Sequence, residues 1–267
     1  MNVASEFGPL LRRWRRSAHL SQQRLAEQAE VSTRHVSFLE TGRASPSREM
    51  VLVLANALDL PLRERNALLG AAGFAPIYRE SALDGERMTH VRRALAFLLE
   101  RQEPYGAIVV DRFWNVRDMN RGARRVMGCF LDDPSDPEVL GNAMHALFHP
   151  RGLRPHVLDW EEAAGATIDR LHRETLGPGG EQTRALIDEL LAYPGVPAHF
   201  AQPRPTELPD PFLPVHLKKG DRELRLFTLV STLGTPIDVT AQELRIESYF
   251  PADDASDAFL RRLAERD

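Results

Sequence analysis

The chain reads as an α+β protein in two parts: an all-α stretch of five short helices over residues 1–76, then a longer part combining an antiparallel sheet with helices. Three observations carry this reading. Apolar residues recur at helical spacing as far as Leu69, interrupted by serines placed to start helices. The spacing changes to that of strands at Ala107-Ile108-Val109-Val110 and again from Val215 onward. Charge divides the same way: of 34 basic and 38 acidic residues, positions 1–76 hold 10 arginines against 7 acids, which leaves 24 against 31 for the remainder.

In the first part, Phe7, Leu10, Leu11, Trp14 and Ala18 mark one helix. Ser21 caps a second, whose inner face is Leu25, Ala26 and Ala29, small enough for another helix to approach closely. Val31 anchors a turn and Ser32 caps the third helix. There Val36 and Leu39 form the buried stripe, with Thr33, Arg34, Ser37 and Phe38 outward. Gly42 suits the left-handed position just past its end. Ser47 caps a fourth helix with Met50, Val51, Leu54 and Leu58, and Leu62, Leu68 and Leu69 belong to a fifth.

Ala72-Gly73-Phe74-Ala75-Pro76 closes this domain. Residues 77–103 are read as a connection built on a helix from about Asp84 to Gln102, with Met88, Val91, Leu95, Leu98 and Leu99 on one side; it connects the parts or pairs two copies. The second domain, 104–267, begins with a hairpin of Ala107–Val110, a turn at Asp111-Arg112 and a strand Phe113–Val116. A helix from Asn120 to Met127 ends at Gly128. Three helical stripes follow: Leu140, Ala143, Met144, Leu147 and Phe148; Val157, Trp160, Ala164, Ile168 and Leu171; Leu186, Leu190 and Leu191. Seven prolines between Pro194 and Pro214 exclude helix and central strand and predict an extended connection. Strands return at Val215–Leu217, Glu223–Ser231 and Leu244–Phe250. In the last, Leu244, Ile246 and Phe250 face one way, and Arg245, Glu247 and Tyr249 the other. Thr240 and Glu243 form a capping box or lead into this strand, and a helix over Ala255–Arg266 ends the chain.

Two capped helices joined by a tight turn, Ser21 to Gly42, spell a helix-turn-helix, which places side chains in the major groove of DNA. Residues from about 5 to 73 resemble the Xre-type, phage-repressor-like DNA-binding domain through Leu20-Ser21-Gln22, Leu25-Ala26, Val31-Ser32, Leu39-Glu40-Thr41-Gly42-Arg43 and Pro46. Glu30 departs from it, standing where that family often has glycine. Physics and resemblance together make Thr33, Arg34 and Ser37 the base readers, with Phe38 against a thymine methyl group. Gln22, matching the family's glutamine, and Arg43 bind phosphates, as does His35. Arg15 and Glu40 stand where such domains hold an internal ion pair.

The second domain has the element order of a PAS-like sensor. It resembles the ligand-binding domain of MmyB-like transcription regulators in three stretches: Trp114-Asn115-Val116 with Asn120, Leu147 to Arg154, and Gly234 to Asp253. The resemblance implies a fatty-acid-like ligand in an apolar pocket. Trp114, Met119, Met144, Phe148 and Phe227 are the candidate walls. Tyr105, Arg112, Arg117, His145 and Arg154 are candidates for the polar end, an arginine being the simplest partner for a carboxylate.

Other chemistry has little support in the residues. A single cysteine, Cys129, excludes an internal disulfide and fits the reducing cytoplasm. No apolar run is long enough to span a bilayer. His145 and His149 have the spacing of two zinc ligands, but Ala146 replaces the glutamate of HExxH and Pro150 follows directly, so no metal site is expected. Asp132, Asp133 and Asp136 read as a solvated loop. Neither a nucleophile elbow nor a phosphate loop is present. The expectation is therefore a cytoplasmic homodimeric transcription regulator, not an enzyme and without a cofactor, that binds a DNA operator and senses a fatty acid or similar apolar small molecule. A DNA-tethered enzyme and a protein-binding adaptor are the alternatives.

Overall fold

The computed structural model describes residues 4–175, 180–202 and 215–266. The chain divides into two compact units, Met1–Ala82 with Thr235–Gln242, and Leu83–Gly234 with Glu243–Asp267. The division falls after residue 82, against 76 from the Gly-Phe-Ala-Pro stop.

The first unit contains α1 (Ala4–Ser17), α2 (Gln22–Gln28), α3 (Thr33–Glu40), α4 (Arg48–Ala57) and α5 (Leu62–Ala71). All three expected serine caps form: Ser21 Oγ accepts the Arg24 N–H at 3.0 Å, Ser32 Oγ that of His35 at 3.1 Å, and Ser47 Oγ that of Met50 at 3.2 Å. Each contributes about 1 kcal/mol. The stripes meet in one core, in which Leu11, Leu25, Val36, Leu54, Leu68 and Leu69 are fully buried. Where α1 crosses the end of α3, a Cβ on Gly8 would lie 2.6 Å from the Glu40 carbonyl oxygen, so only glycine permits that approach.

Gly42 adopts the expected positive φ, 70°. Glu30 does so as well, at 54°, where α2 closes by the Val31 N–H donating to the Ala26 carbonyl at 2.9 Å. A side chain in the left-handed region costs about 1–2 kcal/mol, which glycine avoids at the cost of a more mobile unfolded chain. Glu30→Gly is therefore expected to stabilise the protein by roughly 1 kcal/mol, measured as a rise in Tm.

The second unit opens with a 3₁₀ turn, Glu86–Met88, and α6 (Thr89–Arg101). Then come β1 (Ala107–Val110), β2 (Val116–Met119), α7 (Arg121–Phe130), α8 (Pro137–Leu140), α9 (Ala143–Phe148), β3 (Val157–Leu158), α10 (Trp160–Glu174) and α11 (Gly180–Leu191). Beyond these lie β4 (Val215–Lys219) and β5 (Arg222–Thr232), a connection that includes α12 (Val239–Glu243), β6 (Arg245–Pro251) and α13 (Asp254–Ala264). Among the described residues the strands form one antiparallel sheet in the order β2-β1-β6-β5-β4-β3. It curls, as expected of a PAS-like sensor. The sheet is covered on both faces. Leu95 and Leu99 of α6 pack with Ala107, Val109, Leu244 and Ile246 on one side. Ile108, Val110, Leu217, Leu224 and Leu226 pack among the helices on the other.

Asn120, buried at the start of α7, ties three elements together. Its Oδ1 accepts the N–H groups of Ala107 and Ala123, both at 2.9 Å, and its Nδ2 donates to the carbonyls of Leu99 at 3.1 Å and Tyr105 at 2.8 Å. A buried amide so fully satisfied defines one arrangement of α6, β1 and α7.

Several boundaries differ from expectation. Phe113–Asn115 is loop rather than strand, because the Asp111 carboxylate accepts the N–H groups of Phe113 at 2.8 Å and Asn115 at 3.0 Å; the turn thereby lengthens and Trp114 takes a φ of 66°. Gly128 lies inside α7, which runs on to Phe130. The stripe from Leu140 to Phe148 breaks into α8 and α9 at Asn142, whose side chain caps α9. Val157 belongs to β3, not to the helix that follows. Of the proline-rich connection, the described part contains a 3₁₀ turn, Ala198–Ala201, and residues 203–214 lie outside the described residues.

Residues Thr235–Gln242, reached from β5, belong to the first unit. The Val239 N–H donates to the Arg79 carbonyl at 2.8 Å. Gln242 Oε1 accepts the Leu62 N–H at 2.7 Å, supplying α5 with the cap that Pro61 does not provide. Asp238, not Thr240, caps α12, its Oδ1 accepting the Thr240 N–H at 2.9 Å.

Candidate functional site

Within the first unit, α3 is held from beneath by a buried ion pair. Arg15 Nε and Nη2 donate to Glu40 Oε1 and Oε2 at 2.6 and 2.9 Å, and Arg15 Nη1 donates to the Leu20 carbonyl at 2.7 Å. Gln22 Nε2 also donates to Glu40 Oε2, at 2.8 Å. Burial opposes ionisation of Glu40, but the hydrogen bonds from Arg15 and Gln22 outweigh it and hold its carboxyl below the usual range. The pair expected from the sequence is thus present. The amide of Gln22, expected to point to a phosphate, is directed inward to it instead.

On the outer side of α3, Thr33 and Arg34 are exposed, while His35, Ser37 and Phe38 are half-buried. The Arg34 guanidinium lies 5.0 Å from the centre of the Phe38 ring, and that of the exposed Arg43 lies 5.9 Å from it. Phe38 therefore gathers the two cations on one surface.

The second unit contains a cavity of about 300 Å³ between the sheet and helices α7, α9 and α10. Ile108, Met119, Val126, Met144, Ala166 and Leu226 are among its mostly apolar walls, and Thr167, Thr228, Arg170, Glu247 and Tyr249 are polar. Glu247, 8% exposed, accepts a hydrogen bond from the Tyr249 hydroxyl at 3.0 Å. Burial pushes the Glu247 carboxyl up against the opposing effects of Tyr249 and Arg170, and it also pushes the Tyr249 hydroxyl well above its usual value. Arg170 is moved down, again by burial first, with Glu174 and Glu247 opposing. Its guanidinium stands 4.3 Å from the Trp114 ring centre, and its Nε lies 3.5 Å from Glu174.

Of the ten residues expected around a ligand, the structure brings Met119 and Met144 to this cavity. Trp114 is buried behind it, donating through Nε1 to Glu174 at 3.3 Å and supporting Arg170 from beneath. Phe148 packs edge-on to Trp160 in the core. Phe227 stacks on Phe250, on the face of β5 opposite to Leu226 and Thr228. The polar candidates are engaged elsewhere. Tyr105 donates to Asp257 at 2.6 Å, Arg112 pairs with Glu243 and Arg117 with Asp111, both at 2.7 Å, and Arg154 binds the Pro194 carbonyl at 2.6 Å. His145 Nδ1 lies 2.7 Å from the Tyr193 hydroxyl, and His149 Nδ1 accepts the Arg151 N–H. Sequence reasoning missed Arg170, Glu247 and Tyr249. The signal available was the alternation of β6, which places Glu247 and Tyr249 on one face.

A helix-turn-helix unit joined to a sheet-and-helix unit with an internal cavity defines a DNA-binding transcription regulator with a ligand-binding domain. Residues 91–263 match the family described as "MmyB-like transcription regulator ligand binding domain", and residues 6–68 match a "Helix-turn-helix domain". The chain belongs to the MmyB-like family. No curated protein matches the sequence. Among solved structures, it is similar to "Structure of an RNA-binding Light-Oxygen-Voltage Receptor" at 12% identity and a TM-score of 0.29, covering 98% of this chain and 63% of that one. Among the described residues no helix is long and apolar enough to cross a membrane.

Proposed function

We propose that the protein binds its operator as a homodimer through α3, and that a single-chain fatty acid in the cavity of the second unit controls this binding. The observation that carries the ligand reading is the cavity itself: about 300 Å³, bounded mainly by apolar side chains, with one arginine among its few polar groups. That volume is at the lower end of ligand pockets, and each methylene buried there contributes roughly 0.8 kcal/mol. Dimerisation follows from the target, since one recognition helix spans only a few base pairs and two-fold pairing doubles the site.

Native mass spectrometry of the purified protein tests the reading, with Ala166→Trp as the blocked form. Ala166 is half-buried on α10 and lines the cavity, so an indole there occupies the space of the tail. The wild type is expected to carry a fatty-acid adduct, and ligand at 100 times its Kd should raise Tm by roughly 5–10 °C. Ala166→Trp should lose both while its unliganded Tm stays close to that of the wild type. Absence of a bound lipid together with absence of a fatty-acid-dependent rise in Tm refutes the sensor reading. A protein that sediments as a monomer on its operator refutes the dimer.

A further inference from the structure

The polar lining of the cavity is contiguous. Thr228 stands opposite Tyr249 in the β5–β6 ladder, and Glu247 follows two residues before Tyr249 on the same face of β6. Arg170 completes the group from α10. The charges nearby already balance. Glu174 accepts from Arg245 at 2.9 Å and lies 3.5 Å from Arg170, so one carboxylate answers two guanidinium groups and Glu247 answers the remaining positive charge. Arg170, Arg245, Glu174 and Glu247 together are neutral when all four are ionised. Among the described residues, the other groups lining the cavity from β1, β2, β4, β5, α7, α8, α9 and α13 are not titratable.

A carboxylate brought into this enclosure adds an uncompensated negative charge next to a buried acid, and two carboxylates at close range do not both stay ionised in a medium of low polarity. We infer that Glu247 is the head-group residue of the cavity: a long-chain carboxylic acid is held with one proton shared between its carboxyl group and that of Glu247, while Arg170 donates to the pair. The inference rests on the fatty-acid reading above and adds the chemistry of the head. The balance is simple: a carboxylate from solution and one proton from the buffer enter together, and the cluster then carries the same charge as before. Burial, which already pushes the Glu247 carboxyl up, works in the same direction. The Tyr249 hydroxyl donates a hydrogen bond to Glu247 and, held well above its usual range, stays neutral.

The test is calorimetric titration of the full chain with dodecanoate and with dodecanol, from about pH 6 to about pH 8.5, in buffers of different ionisation heat. Dodecanoate should take up close to one proton on binding, and its affinity should fall by up to about tenfold per pH unit where Glu247 would otherwise be ionised. Dodecanol should show no such slope. In Glu247→Gln, a neutral residue of the same shape, dodecanoate should bind without proton uptake and with an affinity independent of pH. Wild-type binding of dodecanoate without proton uptake overturns the inference, and so does a pH slope retained in Glu247→Gln. Binding of dodecanol but not dodecanoate overturns it too while leaving an apolar sensor standing. Failure of both probes to bind refutes the underlying reading instead.

Discussion

Glu40→Ala is expected to remove about 3–5 kcal/mol of stability and, with it, DNA binding. The loss arises less from the attraction forfeited than from what is left behind. The Arg15 side chain is 10% exposed and Glu40 2%, so the alanine variant strands a guanidinium in the core, with the Leu20 carbonyl as what remains of this network around it. Gln22 loses its acceptor at the same time. Replacing both charges, as in Arg15→Met with Glu40→Leu, should recover most of the loss, because apolar residues of similar volume need no partners. Denaturant unfolding of the full chain measures both effects. The pair also sets a dependence on acid. Glu40 has a lower pKa folded than unfolded; its contribution is therefore complete above the ordinary carboxylate range and is lost as pH falls through its lowered folded value. Glu40→Ala with unchanged stability would show that the pair contributes nothing.

Arg34→Ala is expected to weaken binding to the cognate operator by about 1–3 kcal/mol and to flatten the preference at one base pair. Arg34 is exposed in the first turn of α3, and its guanidinium lies against Phe38, which limits the conformations it must give up on contact with a base. Arg43, past the end of α3, serves as the comparison. Its alanine variant should weaken all sequences alike and reduce the salt dependence by about one phosphate contact. A mobility-shift series over single-base operator variants separates the two patterns. If Arg34→Ala retains both cognate affinity and base preference, α3 does not dock by its N-terminal turn.

The helix-turn-helix was legible in the sequence because its determinants are local. A serine cap, an apolar stripe and a positive-φ position each act within a few residues, and the Ser21, Ser32 and Ser47 caps form as their spacing predicts. Glu30 was marked only by resemblance, as a residue standing where the family often has glycine, and the structure gives the reason in its left-handed φ of 54°. The Arg15–Glu40 pair was accessible through resemblance, since nothing in the spacing of two charges 25 residues apart announces contact.

The cavity was not legible in the same way. Its lining comes from several separate elements, and alternation along a strand distinguishes two faces without saying what covers each. Phe227 and Thr228 illustrate this: the aromatic residue is the more obvious wall, yet the register Phe227 to Phe250 turns it away and leaves Thr228 facing inward. Trp114 was displaced by one carboxylate, Asp111, whose turn lengthened the hairpin loop.

By itself, then, the sequence determined the two-part α+β architecture, the five helices and the serine caps of three of them, the outward side of α3 and the approximate positions of most strands, because periodicity and serine capping are properties of neighbouring residues. Only the tertiary structure decided that Glu247 and Tyr249 face a cavity, that Arg170 joins them, and that Gln242 caps a helix beginning 180 residues earlier. Those outcomes depend on which elements cover each face of the sheet and on contacts between distant segments, and no local pattern encodes either.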